Sequence, residues 1–151
     1  MPYAMSPGHT PQHQRTSLKI LIQFENALNN CKDCKVYAPI DWKIEEDTIV
    51  QPDVLIVCKL IQKNFLDFKP ALVVEILSPS PASKDRGEKM ELYQSQQVKY
   101  YLIVDAKFMK IEIYQFVEGK YDLVAISPLT FLFIFEETNC KADVNFLSIW
   151  D

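Results

Sequence analysis

The sequence predicts a single α+β domain of the α/β type, a mixed β-sheet flanked by two helices. Three observations carry this. Residues 12–29 contain no Gly or Pro and place apolar side chains at helical spacing. Residues 71–77 form a nearly continuous apolar run, as expected of a central strand covered on both faces. A second helical pattern over residues 85–96 separates that run from another over residues 99–105, giving the order helix, strands, helix, strands. The length of 151 residues, 48% of them hydrophobic, suits one domain with its own core.

Each element has a local reason. Residues 1–11 read as a loop-like lead broken by Pro2, Pro7, Gly8 and Pro11, with residues 3–5 as a short edge strand. In the first helix, Leu18, Ile20, Leu21, Ile22, Phe24, Ala27 and Leu28 make a broad buried face, and Asn29-Asn30 is the stop. Residues 36–40 and 42–45 read as a strand pair with a bend at Pro39. A turn at Glu46-Asp47 leads to a strand over 50–58 with Pro52 near its start, and 61–69 is a connection with room for one helical turn. Ser78-Pro79-Ser80-Pro81 ends the apolar strand before the second helix. Residues 109–118 and 121–126 alternate around Glu118-Gly119-Lys120 and read as a hairpin. Residues 131–135 are a last strand, and 143–150 a short closing helix.

Composition excludes several classes. A hydrophobic share of 48% with a net charge of −4 excludes disorder as the main description. No apolar run approaches the ~18 residues of a membrane span, and the first residues are polar and Pro-rich rather than a secretory signal. A pI of about 5.2 argues against a strongly basic nucleic-acid coat. It leaves room for a nuclease, because metal ions bridge acidic sites to phosphate. Of the four cysteines, Cys31 and Cys34 form a CxxC pair. A zinc site needs a second ligand pair at suitable spacing, and none exists. The expectation is four free thiols in a reducing cytoplasm.

The chemistry lies in two carboxylates placed where carboxylates are costly. Asp53 stands at the head of Val54-Leu55-Ile56-Val57, and Glu75 in the middle of Leu72-Val73-Val74-Glu75-Ile76-Leu77. An ionised carboxylate on a buried strand needs a partner, a metal or a raised pKa. Two such groups on neighbouring strands converge on one point, and hard oxygen ligands there suit Mg²⁺ or Mn²⁺. The plainer alternative is that Asp53 caps a turn and Glu75 pairs with a lysine or arginine. On the second helix Asp85, Lys89, Leu92, Tyr93 and Gln96 share one face, so Lys89 turns toward the sheet with Leu92 and Tyr93. Arg86, Glu88, Glu91 and Gln94 take the outward side. Taken alone, such a lysine is also consistent with snorkelling. His13 lies in line with Ile20 and Phe24 and faces inward near the same rim, or serves as a cap or packing residue.

These residues resemble a family. Pro52-Asp53, Val74-Glu75-Ile76-Leu77-Ser78-Pro79-Ser80, Lys84-Asp85-Arg86-Gly87-Glu88-Lys89-Met90-Glu91-Leu92-Tyr93 and Val98-Lys99-Tyr100-Tyr101-Leu102-Ile103-Val104-Asp105 are similar to the Uma-type family of putative restriction endonucleases. Ala4-Met5-Ser6-Pro7 and His13-Gln14 match the family's approach to its first helix. The resemblance covers residues 3–121 and implies a PD-(D/E)XK restriction-endonuclease-like fold. It assigns the motif's aspartate to Asp53 and its acid to Glu75. The lysine expected two residues after the acid is replaced by Leu77, and the following helix supplies Lys89 instead. It further implies the backbone carbonyl of Ile76 as a third metal ligand. Family members usually carry a leading segment with a glutamate-bearing strand, so the expectation is one domain over residues 1–151 lacking that segment.

The reading that follows is a Mg²⁺- or Mn²⁺-dependent endonuclease acting on DNA. Asp53 and Glu75 are metal ligands, Lys89 the positioning cation, and His13, Asp85 and Tyr93 secondary candidates. Ser78 and Ser80 could touch phosphate or cap the helix. No nucleotide cofactor is expected. A homodimer is expected, with Tyr114, Phe116, Phe131, Phe133 and Phe135 available as interface or as core. The rival reading is a non-catalytic nuclease-like interaction or dimerisation module.

Overall fold

The computed structural model describes residues 10–78 and 82–150, and of residues 82–86 the backbone alone. The first helix, α1 (Pro11–Ala27), starts where Thr10 accepts a hydrogen bond from the His13 N–H and Pro11 fills the first turn. Its buried residues are His13, Thr16, Ile20 and Phe24, one stripe at spacings of three and four. The strands that follow are β1 (Lys35–Tyr37), β2 (Trp42–Glu45), β3 (Thr48–Val50), β4 (Val54–Val57) and β5 (Leu72–Ile76). Helix α2 (Ala82–Ser95) leads to β6 (Tyr100–Asp105), β7 (Lys110–Val117) and β8 (Lys120–Ile126). Strands β9 (Thr130–Phe135) and β10 (Cys140–Asn145) end the chain, with short 3₁₀ segments at Glu136–Thr138 and Phe146–Ile149.

Six strands form one sheet in the order β1-β4-β5-β6-β7-β8. Only β5 and β6 run parallel, with Glu75 beside Ile103, and α2 is the crossover that a parallel pair requires. The other neighbours are antiparallel. The expected mixed sheet with two helices is therefore present. Strands β4 and β5 are buried throughout, as expected of apolar runs that only Glu75 interrupts.

Alternate residues of these strands feed two cores. On the α1 face, Ile20 and Phe24 pack with Val54, Ile56, Leu72, Val74, Leu102 and Val104, closed over by Phe133, Val144 and Phe146. On the α2 face, Leu55, Val57, Val73, Tyr101 and Ile103 pack with Tyr93, Trp42 and Leu66. Tyr93 stacks on Trp42, with centroids 6.0 Å apart, and meets Tyr101 edge-on at 5.2 Å. The β7–β8 hairpin turns through Glu118 and Gly119, both at positive φ (49° and 89°), the two-residue geometry that suits sheet twist.

Several local expectations need correction. Residues 36–40 and 42–45 do not pair with each other. Strand β1 joins β4 at the sheet edge, while β2 pairs with β3 in a separate two-stranded ribbon. The strand expected over 50–58 is shorter: Val50 ends β3, and β4 begins only at Val54, because Pro52 and the Asp53 bend interrupt the segment. The 61–69 connection contains no helical turn. The segment expected as a closing helix over 143–150 is the end of β10 followed by 3₁₀ turns, since β10 borrows its partner from β9. Gln94 is half-buried rather than outward, its side-chain oxygen accepting the Tyr121 N–H at 2.8 Å. The cysteines are not free: Cys31 is bonded to Cys140 and Cys34 to Cys58. Their sequence separations of 109 and 24 residues kept these partners out of reach of linear pattern reading. The proposed strand over residues 3–5 lies outside the described residues. No helix among the described residues is long and apolar enough to cross a membrane.

Candidate active site

The two buried carboxylates meet at one rim of the main sheet. Val54 is in register with Val74, and the Asp53 bend just before β4 brings its carboxylate to the residue after Glu75, near enough for its charge to act on Glu75. Glu75 shares the α2 face with Val73, while the amide of the next residue, Ile76, reaches Asp53. The Ile76 N–H donates to Asp53 Oδ2 at 2.8 Å. The other oxygen, Oδ1, lies 3.4 Å from His13 Nε2, which the first turn of α1 carries to the rim. Asp53 and His13 are 8% and 6% exposed, so this contact is shielded from water.

Glu75 is held from the opposite side by α2. Tyr93 donates its hydroxyl to Glu75 Oε2 at 2.5 Å, and Lys89 Nζ contacts Oε1 at 3.2 Å. The two donors are four residues apart on the helix, so both come from one face. Tyr93 is fully buried, whereas the Lys89 side chain is 39% exposed and reaches from solvent into the rim. The facing expected for Lys89 is what the helix adopts.

The environments push the two carboxyls apart. Burial would raise Asp53, but the His13 hydrogen bond, the Ile76 N–H and the charges of His13 and Lys89 outweigh it and hold the group below 3.8. For Glu75, burial dominates and pushes it up to about 7. Lys89 opposes the rise, the Asp53 charge adds to it, and the Tyr93 hydrogen bond opposes it. The Tyr93 phenol is raised by its own burial and by the carboxylate it donates to. One group is thus fixed as an anion, and its neighbour exchanges a proton near neutral pH.

A cavity of about 450 Å³ opens beside this cluster. It is lined by His13 and Gln12 of α1, by Leu77 and Ser78 after β5, and by Asp105, Lys107 and Phe108 after β6. These are the carboxyl ends of the parallel strands, where open sheets with crossover helices place ligands. Sequence reasoning did not single out Asp105, Lys107 or Phe108. The available signal was a buried strand ending in Asp-Ala-Lys beside the carboxylate-bearing one.

Asp53, Glu75, Lys89, Tyr93 and His13 therefore come together. Ile76 enters through its N–H. Ser78 lines the cavity, while the side chain of Asp85 and all of Ser80 lie outside what the structure describes. Of the aromatics weighed as interface or core, Phe133 and Phe135 are buried.

Known proteins resemble this chain in sequence and in fold. It is 33% identical over 118 residues to an uncharacterized protein of Synechocystis sp., covering 74% of this chain. The chain spans only 60% of that relative's length. The crystal structure of a "putative nuclease" from Anabaena variabilis superposes with a TM-score of 0.72. It covers 97% of this chain and 84% of that one at 9% identity, a likeness of fold. The family model described as "Putative restriction endonuclease" matches residues 2–138, and the chain accordingly belongs to the Uma2 family.

Proposed function

We propose that the protein is a metal-dependent endonuclease that hydrolyses DNA phosphodiester bonds at the rim holding Asp53, Glu75 and Lys89. The observation that carries this is the side-by-side placement of two buried carboxylates with a partly exposed lysine on one of them. Family membership and fold support a nuclease. The donor set fits a hard divalent ion such as Mg²⁺ or Mn²⁺. A carboxylate has about four lone-pair directions, and the contacts described above use two on each group.

Asp53 and Glu75 would hold the metal, and the Ile76 carbonyl is the third candidate. When bound, such an ion lowers the pKa of a water and offsets negative charge on a phosphate. The chain's own residues do the rest. His13 and the Ile76 N–H fix Asp53 in one rotamer as an anion. Tyr93 fixes Glu75 and leaves its second oxygen to Lys89. Lys89, anchored at one end of its reach and open to solvent at the other, meets the charge that grows on a phosphate during attack. Lys107, which lines the neighbouring cavity together with His13, would serve as a second cation for the nucleic-acid backbone. With a net charge of −4, the chain neutralises few phosphates, so DNA affinity should be modest and fall with salt.

A second reading is a non-catalytic nuclease-like module, favoured by one observation: Lys89 and Tyr93 already satisfy Glu75 without any ion. Calorimetric titration with Mn²⁺ and Mg²⁺ separates the two. Wild type should bind, and Asp53→Ala should not. Asp53→Asn, which keeps an acceptor for the Ile76 N–H, should also lose binding while remaining folded. Divalent-dependent nicking of plasmid DNA is then measured on the same proteins. Absence of binding by folded wild type would overturn the metal-dependent reading.

A further inference from the structure

The four cysteines lie far from the carboxylate rim, beyond the other end of α1, and come from three separate parts of the chain. Cys31 and Cys34 sit in the loop after α1, Cys58 follows β4, and Cys140 opens β10. They form two disulfides, Cys31–Cys140 and Cys34–Cys58. The two bridges adjoin each other. The sulfurs of Cys31, Cys34 and Cys140 lie within 4.8 Å of one another, although Cys34 belongs to the other bridge. Cys58 lies outside that group of three but is bonded to its member Cys34, which makes it the fourth sulfur at the group's edge.

We propose that the reduced protein binds one thiophilic metal ion, Zn²⁺ or an ion of similar chemistry, on Cys31, Cys34, Cys58 and Cys140. Four thiolates around one ion are the ligand set of a closed structural zinc site. With Zn–S bonds of about 2.3 Å, tetrahedral sulfurs stand about 3.8 Å apart. Reduction releases the Cys31–Cys140 bond, and side-chain rotation would then open those two sulfurs to that spacing within a group whose members already lie within 4.8 Å of one another.

The surroundings favour thiolates. The Cys34 N–H donates to Cys31 Sγ at 3.2 Å across the CxxC loop, a bond that strengthens as the sulfur becomes anionic. Thr138 Oγ1 stands 3.2 Å from Cys34 Sγ and also donates to the Phe135 carbonyl at 3.2 Å, which holds it beside the sulfur. Cys34 and Cys140 are buried, as a closed site requires. Cys58 lines a separate cavity of about 470 Å³ that also contains Lys59, Thr138 and Glu137, which provides an entry path for ion or reductant. The CxxC spacing sets Cys31 and Cys34 side by side, so their partners Cys140 and Cys58 arrive at one location. The site would tie the end of α1, the β1–β4 edge and the β9–β10 hairpin to one point. It would thereby fix the helix whose first turn carries His13.

The disulfide and metal states are alternatives on the same sulfurs. A phosphine reductant gives each disulfide two electrons, and water supplies the protons and the oxygen of the phosphine oxide. The products are four thiols in all. The metal takes up four thiolates and displaces four protons.

The test uses the full chain, reduced with a phosphine and kept anaerobic. Elemental analysis should find one zinc per chain that survives desalting. Replacement by Co²⁺ should give a thiolate-to-cobalt charge-transfer band and the intense visible bands of tetrahedral cobalt. Such signals distinguish this site from carboxylate binding at Asp53 and Glu75, and Asp53→Ala should leave them unchanged. Cys140→Ser and Cys58→Ser should each lose the charge-transfer intensity or the bound metal. Because either variant could misfold, wild type carries the decision. A reduced wild-type chain with native circular dichroism and four reactive thiols, yet no bound metal, would overturn the proposal. So would cobalt binding without the thiolate band.

Discussion

Raising the pH from about 4.5 to about 7 should destabilise the metal-free protein, and Glu75 is the cause. Burial pushes its carboxyl up to about 7, against an ordinary value of 4.5, and the hydrogen bonds from Lys89 and Tyr93 only partly offset this. Between those two values the folded chain keeps a proton that the unfolded chain has released. Stability therefore falls as pH rises through this window and levels off above it. At about 1.4 kcal/mol per pH unit, the loss comes to about 3 kcal/mol, a large part of a typical domain's 5–15 kcal/mol. Asp53 has the opposite sign and a different window. Its folded pKa lies below 3.8, so its contribution is present above that value and is lost only as pH falls further.

The assay is urea denaturation followed by circular dichroism, with a chelator present, at several pH values across that range. Wild type is compared with Glu75→Gln, which keeps an oxygen for the Tyr93 hydroxyl but cannot ionise. All other titrating groups are common to the two proteins, so their difference isolates Glu75. The wild-type advantage over the variant should shrink by about 3 kcal/mol between pH 4.5 and 7. Parallel curves, or an advantage that grows with pH, would refute the assignment of a raised pKa to Glu75.

Three further outcomes are expected. Lys89→Met should lower divalent-dependent cleavage about 100-fold or more while Mn²⁺ binding persists, since the cation acts on the phosphate rather than the metal; calorimetry and plasmid nicking on one preparation check this. Apparent Mn²⁺ affinity should fall up to about tenfold per pH unit below 7, because Glu75 must shed its proton to bind, and titrations at pH 6 and pH 7.5 measure it. Phe24→Ala should cost about 3–5 kcal/mol in denaturant, because Phe24 is fully buried and meets the ring of Phe133 at 5.4 Å.

Elements with strong local signals were legible in the amino-acid sequence. Helix α1 followed from the helical spacing of Leu18, Ile20, Leu21, Ile22, Phe24, Ala27 and Leu28, although the buried face is narrower than that set, with Leu18 and Ile22 exposed, and β4, β5 and β6 followed from strongly apolar runs. The β7–β8 hairpin followed from Glu118-Gly119 between alternating strands. The cost of burying a carboxylate singled out Asp53 and Glu75, and helical spacing placed Lys89 and Tyr93 together on one face. Which strands pair was settled by long-range packing. Strands β1 and β2 are neighbours in sequence but lie in different sheets, because pairing depends on which edge is open rather than on chain proximity. Long-range packing also decided the two-sided hold on Asp53 by His13 and Ile76, the cavity beyond Asp105, and the convergence of Cys31, Cys34, Cys58 and Cys140. Each of these joins side chains from distant parts of the chain. Local periodicity carries no information about such contacts, which arise only when the sheet order is fixed.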